Sequence, residues 1–218
     1  MRIANAKGIA GTLGALVHPD TQQEDARPLL LTTGHTLLTG TASWQDTIWL
    51  VTDARGSRRY HKLGHTLTGK IGNVRLNGTD YFVDCAIGSC SGVFDMPGTD
   101  VCSLLPNILG TSDAEIGMPV SKTGAATLTT HGIVANTDYS CDVQAAGGLQ
   151  RATRQLLVRA TEDGKRFADD GDSGALVVDA SHRAVGLLWG NTPEGHGVAC
   201  PIAPVLAALN VSFSMSAP

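Results

Sequence analysis

The sequence predicts an all-β protein built as one compact unit, and three observations predict it. Short apolar runs recur along the 218 residues, separated by turn signals such as Asn77-Gly78 and Pro97-Gly98, which is the pattern of many short strands. The 26 glycines and 9 prolines are spread along the chain rather than arranged in a repeat. Helical periodicity is scarce: the best candidate is Ile202 to Leu209, after Pro201, with Val205, Leu206 and Leu209 on one face,. A chain of this length can bury a large core, and all-β folds of this size often run as one domain.

The elements follow in order. Leu29 to Leu31 is an apolar run that breaks at Gly34 and His35, so it reads as a buried strand with a histidine at its end. Thr47 to Thr52 supplies a further strand, and Tyr81 to Ile87 another, with Asp84 set inside it. An acid in an apolar run is expensive unless it has a partner. Polar and glycine residues from Pro106 to Ser112 separate two strand-rich halves. Ala175 to Val178 and Ala184 to Trp189 read as a hairpin.

Gly171-Asp172-Ser173-Gly174 is the most informative motif. It lies between a polar loop, Asp163 to Asp170, and the first strand of that hairpin. Gly171 allows a tight turn, and the N–H groups of Gly171 and Ser173 can point at one developing oxyanion. A serine hydroxyl is a poor nucleophile unless a base takes its proton, and the base needs an orienting group. His35 and Asp84 meet these needs in the order His, Asp, Ser, with gaps of 49 and 89 residues.

With these residues in place the chain resembles the chymotrypsin-fold, trypsin-like serine peptidases over nearly its whole length. Gly11 to Val17 is similar to the opening strand, and Leu31-Thr32-Thr33-Gly34-His35-Thr36 to the histidine segment. Asp84-Cys85-Ala86-Ile87 resembles the aspartate segment, and Gly117 to Gly124 the first strand of the second barrel. Val185 to Gly190 resembles the strand lining the substrate cleft. Gly197-Val198-Ala199 with Pro201 to Leu209 resembles the last strand and closing helix. The resemblance implies two six-stranded antiparallel β-barrels of chymotrypsin type with a short C-terminal helix. Residues 1–108 form the barrel carrying His and Asp, and residues 109–218 the barrel carrying Ser. The departures are Thr36, where the family usually has cysteine, Ala175, where it has a second glycine, and the missing disulfide pattern of secreted members.

The histidine has a decoy, because Gly34-His35-Thr36-Leu37 is nearly repeated as Gly64-His65-Thr66-Leu67. Spacing selects His35: strands must fit between base and acid, and the 19 residues from His65 to Asp84 leave little room. His18, His61, His131, His182 and His196 read as surface or loop histidines. Asp95 and Asp100 lie in a Met-Pro-Gly loop where an acid is cheaply solvated, so Asp84 is the better orienter. Asp172 is expected to bond local backbone donors. In activated secreted members of the family the equivalent acid pairs with a freed N-terminus, and Lys7 to Gly11 is only faintly like an activation site.

The net charge of −4, from 16 basic and 20 acidic residues, argues against a nucleic-acid partner. Arg55, Arg58, Arg59, His61 and Lys62 read as a solvated hairpin tip, and Arg151, Arg154 and Arg159 as exposed strand positions. No apolar stretch approaches a membrane span. The five cysteines, Cys85, Cys90, Cys102, Cys141 and Cys200, contain no Cys-x-x-Cys pair, so no metal site is expected. Met1 to Lys7 has a basic start without an apolar segment, so no signal peptide is expected and the thiols are expected to be reduced, in a cytoplasm.

The functional expectation is a serine endopeptidase acting on protein or peptide substrates, with no cofactor. Ser173 is the nucleophile, His35 the general base and Asp84 the orienter; Gly171 and Ser173 form the oxyanion hole. The resemblance places the primary pocket at Phe167, Asp169, Asp170, Trp189, Gly190, His196 and Gly197, with the acidic pair favouring Lys or Arg, His196 favouring an acidic side chain, and Phe167 making a shallow apolar pocket if the charges are solvated. The rivals are a protease-like binding module that recognises protein without cutting it, and an esterase with the same triad.

Overall fold

The computed structural model describes residues 1–20, 27–38, 46–54, 56–90, 105–145 and 148–213. Arg55, Asp95, Pro97-Gly98, Asp100 and Cys102 fall outside these residues. In chain order the first half contributes β1 (Arg2–Ala4), β2 (Ala10–Thr12), β3 (Ala15–Pro19), β4 (Leu29–Thr32), the one-turn helix α1 (Gly34–Leu37), β5 (Thr47–Ala54), β6 (Ser57–Leu76) and β7 (Thr79–Ser89). The second contributes β8 (Pro119–Gly124), β9 (Leu128–Ala145), β10 (Gly148–Ala160), β11 (Leu176–Asp179), β12 (Ala184–Asn191), β13 (Gly197–Pro201), α2 (Ile202–Leu209) and β14 (Val211–Ser212).

All ladders between these strands are antiparallel. The second half closes into a six-stranded barrel in the order β10-β13-β12-β11-β8-β9. The first half is an eight-membered array, β14-β3-β4-β7-β6-β5-β1-β2, rather than the six strands expected. The difference has two causes. β2 and β3 are one stretch of chain interrupted at Leu13 and Gly14. Leu13 N–H donates to Met1 O and Gly14 N–H to Leu31 O, so the stretch pairs with β1 at its start and with β4 at its end. The array therefore comes round on itself through one strand. Ile3 of β1 and Leu30 of β4 share one apolar core, as this curl requires. β14 is the remaining addition: it returns after α2 to pair with β3, so the last residues cross the expected division at 108/109.

Local chemistry explains the best-defined elements. Asn77 (φ 49°) and Gly78 (φ 79°) both have positive φ, the two-residue turn whose twist matches its flanking strands, and Leu76 pairs with Thr79 across it. α2 spans the expected residues and ends at Asn210, whose left-handed φ of 51° stops the helix,. Its Val205 and Leu209 are buried. They join Val17, Leu31, Val83 and Cys85 of the first half and Leu187 and Cys200 of the second in the core between the two units. Side chains of this size contribute about 1.5–3 kcal/mol each when fully buried, so the seam that carries the candidate site is itself a packed core. Among the described residues no helix is long and apolar enough to cross a membrane.

Cys85, Cys141 and Cys200 are free thiols. Burial pushes the Cys85 thiol up to about 12, and Cys200, fully buried, is pushed well above its ordinary value. Cys141 is only half-buried, and burial raises it too. Brief alkylation of the native protein is therefore expected to modify Cys141 before Cys85 and Cys200, with both reacting after denaturation. Peptide mapping checks this, and early native modification of Cys200 would contradict the packing of the seam.

Candidate active site

The acid is held by the fold before it meets the histidine. Asp84 lies on β7, only 4% exposed, and its N–H donates to Cys200 Sγ across the seam at 3.3 Å. β4 delivers His35 as the second residue of α1. His35 N–H donates to Asp84 Oδ1 at 2.9 Å, and Nδ1 meets Oδ2 at 2.6 Å. Both carboxylate oxygens thus grip one residue, which fixes the ring's orientation and leaves Nε2 facing away from the acid. The approach depends on Gly34: a Cβ there would sit 2.9 Å from Asp84 Oδ1 and 2.7 Å from Ile71. Burial favours the neutral imidazole, but the hydrogen bond that His35 donates to Asp84 and the charge of Asp84 outweigh burial, so the His35 pKa is raised above 6.5.

The decoy lies elsewhere. Ile71 is opposite Asp84 on β6, whereas His65 lies farther back along that strand beside Gly88, four residues and roughly 13 Å along β7 from Asp84,. Its N–H donates to Ser89 Oγ.

The Gly171–Gly174 loop comes from the other unit and is fastened to the first by Thr12. This fully buried residue donates from its N–H to Ser173 O at 2.7 Å and from Oγ1 to Gly171 O at 2.9 Å. Its Oγ1 also accepts from Ala125 N–H, and its carbonyl accepts from Thr32 Oγ1 at 2.8 Å. Gly174 (φ 96°) packs where a Cβ would overlap both the Thr12 carbonyl and the Thr32 hydroxyl. Thr32 lies three residues before His35, so the serine loop is pressed against the strand that delivers the histidine. Nothing in the sequence reading singled out Thr12. A buried threonine in an opening strand carries no motif, and its four bonds exist only after the halves meet.

Ser173 Oγ donates to the Trp189 carbonyl at 3.2 Å rather than to His35. Gly171 has φ 102°, and among the described residues the N–H groups of Gly171 and Ser173 have no internal acceptor, while Asp172 N–H between them is bonded to Asp169 O. The serine loop thus carries two unclaimed donors.

Asp172 points inward, away from the cleft, and is fully buried. The expected backbone bonds are present: Ala126 N–H and Thr127 N–H donate to Oδ1 at 2.8 and 3.1 Å, and Asp169 N–H to Oδ2. The sequence reading missed its counter-ion, Lys122 of β8, whose Nζ lies 2.9 Å from Oδ2 with both side chains fully enclosed. Thr127 Oγ1 donates to the same oxygen, and Lys122 Nζ also reaches Thr127 Oγ1 and Leu128 O. Burial raises the Asp172 pKa, but Thr127 and Lys122 more than reverse this, so the carboxyl stays below its ordinary range. This internal cation neutralises the loop's acid.

The expected pocket residues divide. Phe167 is fully buried, with its ring under Lys122 and against Gly132 and Gly197. Asp169 is exposed and held by Arg166, Nε to Oδ2 3.3 Å, and Asp170 is exposed beside it. His196 sits in the β12–β13 turn, bonded through its backbone to Thr192. Trp189 and Gly190 border a cavity of about 270 Å³ with Tyr139, Cys141 and Val198. Among the described residues no three His, Cys, Asp or Glu side chains gather closely enough to hold a metal.

Comparison with solved structures establishes the chymotrypsin-type fold. A glutamic acid-specific serine protease superposes with a TM-score of 0.60 at 18% identity, covering 98% of this chain and 97% of its own. Protease A of Thermobifida fusca gives 0.58 at 18%, covering 98% and 96%, and a Nocardiopsis protease 0.59 at 16%, covering 98% and 97%. These structural neighbours are serine proteases. No family model matches the sequence, and no curated protein matches it.

The Lys122–Asp172 pair supplies a test of the loop's support. Lys122→Met leaves a buried carboxylate uncompensated, which costs about 3–5 kcal/mol. Denaturant unfolding should show a loss of that size, with part of it recovered in Lys122→Met/Asp172→Asn. A loss near zero would contradict the pair's role.

Proposed function

We propose that the chain is a serine endopeptidase, and the observation that carries the reading is the pairing of a carboxylate-gripped imidazole with a serine loop that carries two unclaimed N–H groups. Ser173 Oγ turns from the Trp189 carbonyl towards His35 and attacks a peptide carbonyl. His35 takes the proton at Nε2 and returns it to the leaving amine. Asp84 holds the tautomer with the Nδ1 proton and stabilises the imidazolium that forms. The N–H groups of Gly171 and Ser173 receive the developing oxyanion, each worth about 10²–10³ in rate. Water then repeats the cycle on the acyl-enzyme. The resting contact of Ser173 with Trp189 O does not oppose this, because catalytic bonds are often loose before substrate arrives.

The same resting contact is the observation that favours the second reading, a binding module that keeps its serine parked. Loss of cleavage in a triad variant separates the two.

Cleavage of fluorescent casein by the wild-type chain is expected to be abolished in Ser173→Ala and His35→Ala, with little further loss in the double variant, since triad members act as a unit. His65→Ala should retain wild-type activity. A casein-cleaving Ser173→Ala protein would overturn the assignment.

The pH dependence follows from the raised His35 value. A raised folded-state pKa favours the protonated ring, so its contribution to stability is fully present below 6.5 and disappears as pH rises through the folded value,. Activity needs the neutral ring and therefore climbs through that same value, with a midpoint above 6.5. Asp84→Asn should lower the midpoint as well as the maximal rate. A profile flat between about pH 5 and 8 would contradict a histidine base.

A further inference from the structure

Gln155 has no place in the triad or its immediate supports, yet it is fully buried and fully satisfied. Its Nε2 donates to Phe82 O at 2.9 Å and to Thr153 O at 2.8 Å, and its Oε1 accepts from Trp189 Nε1–H at 2.7 Å. Phe82 is two residues before Asp84 on β7. The Trp189 carbonyl is the acceptor of the Ser173 hydroxyl. One side chain therefore connects the strand of the acid with the residue that holds the nucleophile.

The backbone is distorted at both ends of the Gln155–Trp189 bond. The β10–β9 ladder shifts register between Ala152 and Gln155 and again before Leu157. Arg154 sits in that interval with φ 56°, a strained conformation for a long side chain that persists where the surroundings impose it. An irregularity of this kind re-aims a side chain, and here Gln155 is turned into the seam. The β12–β13 ladder likewise shifts between Leu188 and Gly190, so Trp189 lies where the ladder fails to fix it. Its indole is instead held by the Gln155 bond and by Phe82, at a ring separation of 5.8 Å.

We propose that Gln155 is a positioning residue for this site: it sets Trp189, and through the Trp189 carbonyl the resting orientation of Ser173, relative to the Asp84 strand. The proposal rests on the serine-nucleophile reading. Gln155 touches neither substrate nor the reacting atoms, so its effect is on the maximal rate of Ser173 chemistry rather than on ligand affinity.

The test uses a fluorophosphonate probe, which reacts at an activated serine without occupying an extended cleft. Its maximal labelling rate and half-saturating concentration are measured for the wild type, Gln155→Met, Trp189→Phe and the double variant, below their melting temperatures. Loss of one hydrogen bond worth about 1 kcal/mol corresponds to roughly fivefold. Each single variant is expected to shift the maximal rate by about that factor, both in the same direction, with half-saturation unchanged in Gln155→Met, and the double variant to shift it no further than the larger single change. Gln155→Met with a lowered melting temperature but an unchanged labelling rate would overturn the proposal, and so would multiplicative changes in the double variant. A wild-type chain that fails to label overturns the nucleophile reading itself, and the positioning role falls with it.

Discussion

The candidate site depends on a seam. The proposed nucleophile, Ser173, belongs to one unit and the proposed base and acid, His35 and Asp84, to the other, so neither unit alone can assemble the site. Thr12 is the fastening. Its four bonds tie Ser173 O, Gly171 O and Ala125 N–H of the second unit to Thr32, the end of the strand that delivers His35. Neutral hydrogen bonds contribute modestly on balance, about 1 kcal/mol each, but a buried partner left unsatisfied costs more. Because all four converge on one enclosed residue, the loop and the strand have one low-energy arrangement rather than several. The apolar core between the units, with α2 packed against it, supplies the bulk attraction; Thr12 supplies the register.

Two buried carboxylates carry out opposite tasks within this frame. Asp84 turns its charge towards a titrating group and raises the His35 pKa. Asp172 turns its charge inward, where Lys122, Thr127 and two further backbone donors consume it. It thereby rigidifies the loop without competing for the oxyanion. Had Asp172 faced the cleft, its negative charge would have opposed the negative charge that develops during acyl transfer. The N–H groups on either side of it remain free for that purpose.

Much of this was legible in the sequence, for definite reasons. Asp84 stands out because an acid inside an apolar run needs a partner, and Ser173 because glycines bracket it before a hairpin. The Asn77-Gly78 turn and α2 follow from local conformational rules alone. Other features depend on contacts that no local pattern encodes. Lys122 reads as an ordinary strand lysine until the barrel brings Asp172 beside it from 50 residues away. Gln155 becomes meaningful only through a register shift at Arg154, and a shift of that kind leaves no mark on the alternation of residues. The eight-membered first array arose because Leu13 and Gly14 interrupt one strand and β14 pairs back onto β3, which the spacing of apolar runs does not reveal. The pairing of Asp169 with Arg166, three residues earlier, depends on the shape of the loop, which the residue pattern does not show.

The claim at the centre of the account is that Ser173 is an activated nucleophile made so by His35. Reaction of the intact protein with a fluorophosphonate, followed by peptide mapping of the adduct, tests it most directly. The account predicts one adduct, on Ser173, forming faster as pH rises above 6.5 and lost in His35→Ala while His65→Ala labels normally. An absent adduct, an adduct on another residue, or undiminished labelling in His35→Ala would contradict it.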